Sequence, residues 1–233
     1  MNPTLIIINS ANRSGGTSSD FQYNFQYKTD VEKFRINKIT VPYSWYNIKE
    51  QSFEVSNGIV TLTKNLAAGS YTINSLQSAL SALLPGITIT YNSDTNKYTF
   101  TSASAFTLLF LTGPGYLANV LQLESTGLVF TVTTGVVNLN LTSGCFLKSS
   151  ALSTYYSSIF NQKKDNVVLG VPIKVNSFNY IVFNNSSPTY FPIDEGSMYN
   201  LDFRLVDDNN EVLDLNGQDI QIELEVYSKV QLF

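Results

Sequence analysis

Histidine does not occur in the 233 residues, and cysteine occurs once, as Cys145. The first absence excludes Ser-His-Asp and Cys-His catalysis, an imidazole general base, and zinc or copper sites built on histidine. The second excludes an internal disulfide framework and multi-cysteine metal or iron–sulfur sites. Charge is scarce too: 14% of the residues are Asp, Glu, Lys or Arg, against about 25% in an average soluble domain. No apolar run approaches the roughly 20 residues of a membrane helix. Residues 1–9 lack the basic region and the long apolar stretch of a secretory signal. These absences predict a protein made and used in a reducing cytosol, with no membrane span and no cofactor.

Aromatic residues are plentiful, 13% of the chain, with 15 Phe, 14 Tyr and one Trp. Such a balance excludes a disordered chain. The net charge of −4 is unevenly spread. Residues 194–233 hold ten acids against Arg204 and Lys229, while residues 1–193 carry twelve bases and eight acids. No basic block of the kind that binds nucleic acid is present.

Alternation with period two dominates. Phe21, Tyr23, Phe25 and Tyr27 alternate with polar residues, as do Tyr199, Leu201, Phe203 and Leu205. Ile220, Ile222, Leu224 and Val226 alternate with Gln221, Glu223 and Glu225. Phe34 and Ile36 change phase to Ile39 and Val41, which predicts a β-bulge near Asn37 and Lys38. Further strands are read at 5–9, 137–147, 166–175, 178–183 and 190–193, about eight outside the middle of the chain. Eight short strands in two facing sheets match a jelly roll, although strand count alone leaves other Greek-key sandwiches open.

The middle has a different period. A strand is read at 58–63, after which Thr72 suits a helix N-cap. Ile73, Leu76, Leu80, Leu83 and Leu84 form an apolar stripe that Pro85 and Gly86 end. A hairpin follows over 87–100, then a further strand at 106–110 and a short helix at 116–121. The expectation is a mainly β chain: one jelly-roll β-sandwich from residues 1–52 and 136–233, with residues 53–135 inserted as a small α/β subdomain.

Chemistry-bearing groups are few. Glu223 and Glu225 share one strand face, where solvation is expected rather than the raised pKa of an acid catalyst. Asp207, Asp208, Asn209, Asn210 and Glu211 offer oxygen ligands of the calcium type, but they lack the spacing of a calcium loop and equally suit a hairpin turn. Ser14-Gly15-Gly16-Thr17 reads as a flexible loop, with no lysine to make it a phosphate loop. Cys145 reads as a small half-buried side chain. Tyr43, Trp45 and Tyr46 form the densest aromatic cluster, suited either to a core or to an interface. No catalytic activity is expected.

Three blocks carry a family resemblance. The first is Ile8-Asn9-Ser10-Ala11-Asn12-Arg13-Ser14, running on through Ser18-Ser19-Asp20-Phe21. The second is Leu66-Ala67-Ala68-Gly69-Ser70-Tyr71-Thr72-Ile73, with the Ile87–Thr101 hairpin. The third is Phe203-Arg204-Leu205-Val206-Asp207-Asp208-Asn209-Asn210, with Leu213-Asp214-Leu215-Asn216-Gly217. In this order the chain resembles the minor capsid (penton) proteins of virophages and Polinton-like DNA elements. The resemblance implies a jelly roll with an inserted subdomain, five copies of which fill each fivefold vertex of an icosahedral virion assembled in the host cytoplasm. It also implies neighbouring trimers of a double jelly-roll major capsid protein, and no catalytic residues. On that basis Lys33 and Arg35, with Lys28 and Lys38, are expected to approach Asp207 and Asp208, with Asp202 and Glu223, of the next copy. Tyr43, Trp45 and Tyr46 are the aromatic candidates for that contact. A carbohydrate- or receptor-binding β-sandwich is the alternative.

Overall fold

Phase along each strand decides which side chains meet in this protein. The computed structural model describes residues 3–113, 115–123, 125–140, 142–152, 166–187, 190–192 and 197–227. For residues 26–30, 192, 197 and 198 it describes the backbone alone, so Tyr27 and Lys28 lie outside the described side chains. The chain forms two units, Met1–Trp45 with Thr142–Phe233, and Tyr46–Leu141.

In the first unit the strands are β1 (Thr4–Asn9), β2 (Gly15–Gly16), β3 (Asp20–Asp30) and β4 (Lys33–Pro42). After the second unit come β10 (Gly144–Lys148), β11 (Val167–Pro172), β12 (Tyr180–Asn184), β13 (Phe191–Pro192), β14 (Ser197–Val206) and β15 (Gln221–Tyr227). One sheet runs β1-β15-β4-β12, with β13 also on β4, and the other runs β11-β10-β14-β3-β2. Lettering β1, β3, β4, β10, β11, β12, β14 and β15 from B to I gives the orders B-I-D-G and C-H-E-F. That interleaving is a jelly roll, two Greek keys closed face to face. The second unit enters between strands D (β4) and E (β10), the third and fourth of these.

Both inner faces feed one core, which includes Phe21, Phe34, Ile36, Ile39, Leu147, Phe203, Ile222 and Leu224. The phase change in β4 has a direct cause. Lys38 pairs with Glu223 and Ile36 with Leu224, so Asn37 is the extra residue of a bulge. The bulge keeps Phe34 and Ile36, before it, on the same face as Ile39 and Val41 after it. The Asn37 carbonyl accepts the Asn185 N–H at 2.8 Å, just past the end of β12.

Several expectations need correction. Tyr199 does not join Leu201 and Phe203 inside but is 60% exposed, because the β14–β3 register breaks between Met198 and Asn200. Residues 137–140, the start of the strand read at 137–147, are not strand: the Val137 N–H donates to the Asn96 carbonyl in a turn and the Asn138 N–H to the Val120 carbonyl in a short helix. The loop at 14–19 contains β2, and Gly16 stands at φ +90° with the Asp20 carbonyl only 2.1 Å from where a Cβ would be. Only glycine fits there. Cys145 is fully buried rather than half-buried.

The second unit holds β5 (Gln51–Ser56), β6 (Thr61–Leu66), α1 (Ile73–Leu83), β7 (Thr88–Asn92), β8 (Lys97–Leu109), α2 (Leu117–Leu121) and β9 (Val129–Thr133). Its sheet runs β6-β5-β8-β7, with β9 on β8. Thr72 caps α1 in a capping box with Ser75. Leu76, Leu80 and Leu84 enter a core of this unit's own, with Phe53, Tyr98 and Phe100. The strand read at 58–63 begins only at Thr61, because the Asn57 side chain accepts the N–H groups of Ile59 and Val60 in a turn with Gly58 at φ +86°. The stretch at 106–110 is not a separate strand but the end of β8. Neither β5 nor β9 was legible from alternation.

Candidate functional site

The residues suggested for catalysis or metal binding are occupied in structural work. Asp207 Oδ1 accepts the N–H groups of Asn209 and Glu211, each at 2.8 Å, and Asn210 takes φ +66°, so this segment is a hairpin turn. Asp208 Oδ2 accepts the Ser143 N–H at 2.8 Å and the Thr142 hydroxyl at 3.1 Å. Among the described residues no group of three or more His, Cys, Asp or Glu could hold a metal ion. Asp202 accepts the N–H groups of Ser150 (2.8 Å) and Ala151 (2.9 Å) and the Ser150 hydroxyl. Burial alone would raise its pKa, but these donors together hold the carboxyl below the ordinary aspartate range. Burial pushes the Cys145 thiol up to about 12, and the nearby Asp208 charge adds to the rise.

Open cavities among the described residues of the jelly-roll unit include two. One of about 250 Å³ is lined by Val167–Gly170 backbone and side chains with Asn185, Ser187 and Phe191. The other, about 500 Å³, lies among Arg13, Thr17, Ser18, Leu213 and Asp214. The lining of the first holds no titratable side chain, and that of the second holds Arg13 and Asp214.

The outer face of the B-I-D-G sheet is more informative. Register alone sets its rows: Leu5, Glu225 and Arg35 in one, and Ile7, Glu223, Lys38 and Asn184 in the next. Lys38 Nζ meets Glu223 Oε1 at 3.1 Å. Arg35 Nε donates to Glu225 Oε2 at 3.0 Å, and Nη2 donates to the same oxygen. The Tyr190 hydroxyl donates to the other Glu225 oxygen at 3.0 Å. Lys33 lies over the Tyr227 ring at 4.9 Å and Arg35 over the Tyr190 ring at 5.1 Å. The basic residues expected to reach a neighbouring copy, Lys33, Arg35 and Lys38, are thus engaged within the chain.

Flanking this charged ladder are two apolar edges. On β1, Leu5 and Ile7 are 52% and 56% exposed; on β12, Tyr180 and Val182 are 60% and 53% exposed. Phe178, just before β12, is 72% exposed and stands at φ +67°. A bulky aromatic in the left-handed region is a genuine outlier. No periodicity argument would single out Leu5, Ile7 or Phe178. The aromatic candidates fall differently: Tyr43 and Trp45 stack at 4.5 Å inside the core, 7% and 6% exposed, leaving little surface for a partner. Tyr46 is exposed and belongs to the second unit.

Among the described residues no helix is long and apolar enough to cross a membrane. No protein-family model matches the chain, and no curated protein matches its sequence. Among solved structures it is similar to the crystal structure of the mavirus penton protein, with TM-score 0.50 and 13% identity over 97% of this chain and 100% of that one. The likeness extends across both units, and with the strand order above it makes this chain a mainly β protein with the jelly-roll fold of that penton protein.

Proposed function

We propose that this chain is a minor capsid protein, a penton, five copies of which close the fivefold vertices of an icosahedral virion. The carrying observation is a jelly roll whose strands D and E are separated by a second unit, alike over 97% of the chain to the mavirus penton protein. The role is structural rather than enzymatic. Cys145 is buried with its thiol protonated, and the Glu223 and Glu225 carboxylates are bound to Lys38 and Arg35. Trimers of a double jelly-roll major capsid protein are the neighbours in this reading, and assembly takes place in the host cytoplasm before the protein enters the virion.

Of the aromatic cluster Tyr43, Trp45 and Tyr46, the first two rings are in the core and Tyr46 is exposed, so the cluster as a whole does not form a surface platform for a sugar. Light scattering after size exclusion, followed by electron microscopy of the peak, tests the vertex reading. A mass of five chains with fivefold rings is expected. A chain that stays monomeric at every accessible concentration, or that forms closed dimers, would contradict it.

A further inference from the structure

Charge is missing from one end of the second unit. Residues 55–63, 98–109 and 125–140 hold no Asp, Glu, Lys or Arg, and they include the β5–β6 turn, nearly all of β8, and β9. Large apolar side chains stand there instead: Ile59 is 91% exposed, and Val60, Leu128 and Phe130 are 53%, 57% and 60% exposed. Val129 pairs with Phe106 and packs on the unit's core, so its neighbours Leu128 and Phe130 project from the opposite face of the sheet. The β5–β6 turn reaches the same place, since a Cβ at Gly58 would stand 3.6 Å from Leu128 Cδ2. A grouped apolar exposure of this kind marks an interaction site.

The backbone of the turn is closed on itself. The Gly58 N–H donates to the Ser56 hydroxyl at 3.2 Å, and the Ile59 and Val60 N–H groups donate to Asn57 Oδ1 at 3.0 and 2.8 Å. The Asn57 N–H donates to the Val60 carbonyl at 3.2 Å. Every amide donor from 57 to 60 therefore has its partner within the turn. In water a turn needs no such closure, because solvent serves its donors. In a hydrocarbon environment each unserved donor is costly, and internal partners become a requirement.

These features together fit lipid rather than protein. A protein interface surrounds its apolar anchors with a polar, commonly charged rim, whereas the segments around this tip offer hydroxyl groups and no charge. Ile59, almost wholly outside the fold, makes the tip convex, a shape that enters a fluid layer more readily than it covers a flat surface. Lys64 stands three residues along β6 from Thr61, about 10 Å behind the turn, and Glu54 pairs with Thr63 beside it. That distance matches the roughly 5–10 Å to which interfacial elements sink. We propose that the β5–β6 turn, backed by Leu128 and Phe130, inserts into the surface of a lipid bilayer. One acid and one base behind the tip leave no net charge, so the fitting surface is zwitterionic. The contact belongs to the second unit and is independent of the vertex reading.

Flotation of the full chain with phosphatidylcholine vesicles tests it. The wild type should float equally well in low and high salt, and added phosphatidylserine should change nothing, since no basic cluster takes part. Ile59→Asp and Phe130→Asp, both on exposed positions, should keep the wild-type circular dichroism and melting temperature and bind about 10-fold more weakly, or worse. Ile59→Trp should bind at least as tightly as the wild type, because tryptophan favours the membrane interface. A wild type that stays at the bottom of the gradient would overturn the proposal, as would Ile59→Asp floating as readily as the wild type. Flotation confined to phosphatidylserine vesicles and lost in salt would overturn it too, by showing adsorption through charge. Self-association that Ile59→Asp abolishes, without flotation, would assign the patch to a second copy instead. The mass of the assembly without lipid tests the vertex reading separately, so either can fail alone.

Discussion

The Phe178 N–H donates to the Tyr43 carbonyl at 2.7 Å, fastening an exposed aromatic at φ +67° to an aromatic of the core. In the turn of residues 176–179, closed by the Asn179 N–H on the Asn176 carbonyl at 3.3 Å, Phe178 is the third residue and takes the conformation that glycine or asparagine adopts most readily. Replacing Phe178 by Gly or Asn should therefore leave the monomer as stable or up to about 1 kcal/mol more stable, since strain relief competes with glycine's entropy. Urea denaturation measures this. A loss above about 1 kcal/mol would mean that the ring stabilises the monomer in place.

Glu225 serves three donors, two from Arg35 and one from Tyr190. Glu225→Ala leaves a half-buried guanidinium and a phenol without their acceptor, and should destabilise by about 1–3 kcal/mol. Lys38→Ala removes a wetter pair and should cost under about 1 kcal/mol. Equal effects in chemical denaturation would contradict this ranking.

Asp202 has a folded pKa below its unfolded value of about 3.9. Its contribution to stability is therefore present above about pH 4 and lost as pH falls through the lower folded pKa. Comparing wild type with Asp202→Asn between pH 2 and 7 should show a stability difference that is constant above pH 5 and shrinks below pH 4. A difference independent of pH would show that the carboxylate charge contributes nothing to holding Ser150 and Ala151.

Cys145 is fully buried with its thiol raised to about 12. An aromatic disulfide reagent at pH 8 should find no reactive thiol in the folded protein and one per chain in denaturant. Rapid labelling of the native chain would mean that β10 opens readily to solvent.

Local periodicity determined a good deal of this protein. Alternation at Ile220–Val226 placed Ile222, Leu224 and Val226 on the inner face of β15 with Ile220 buried just before it, and the phase change after Ile36 located the bulge at Asn37. Thr72, the leucine stripe and Pro85 defined α1 to within a residue, because a cap and an amphipathic period are properties of consecutive residues. The missing histidine and the solitary cysteine excluded whole classes of chemistry with no structure at all. Tertiary structure decided what depends on partners distant along the chain. Tyr43 and Trp45 became core residues because the segment that follows strand D packs them into the jelly-roll core, and sequence offered no means of choosing that over exposure. Lys38 and Arg35 were joined to Glu223 and Glu225 by strand register across some 185–190 residues. The same register left Leu5 and Ile7 outside, on an edge: a strand's apolar residues are buried only where a neighbouring layer covers them, and which edge stays open is a property of the closed sandwich rather than of any one strand.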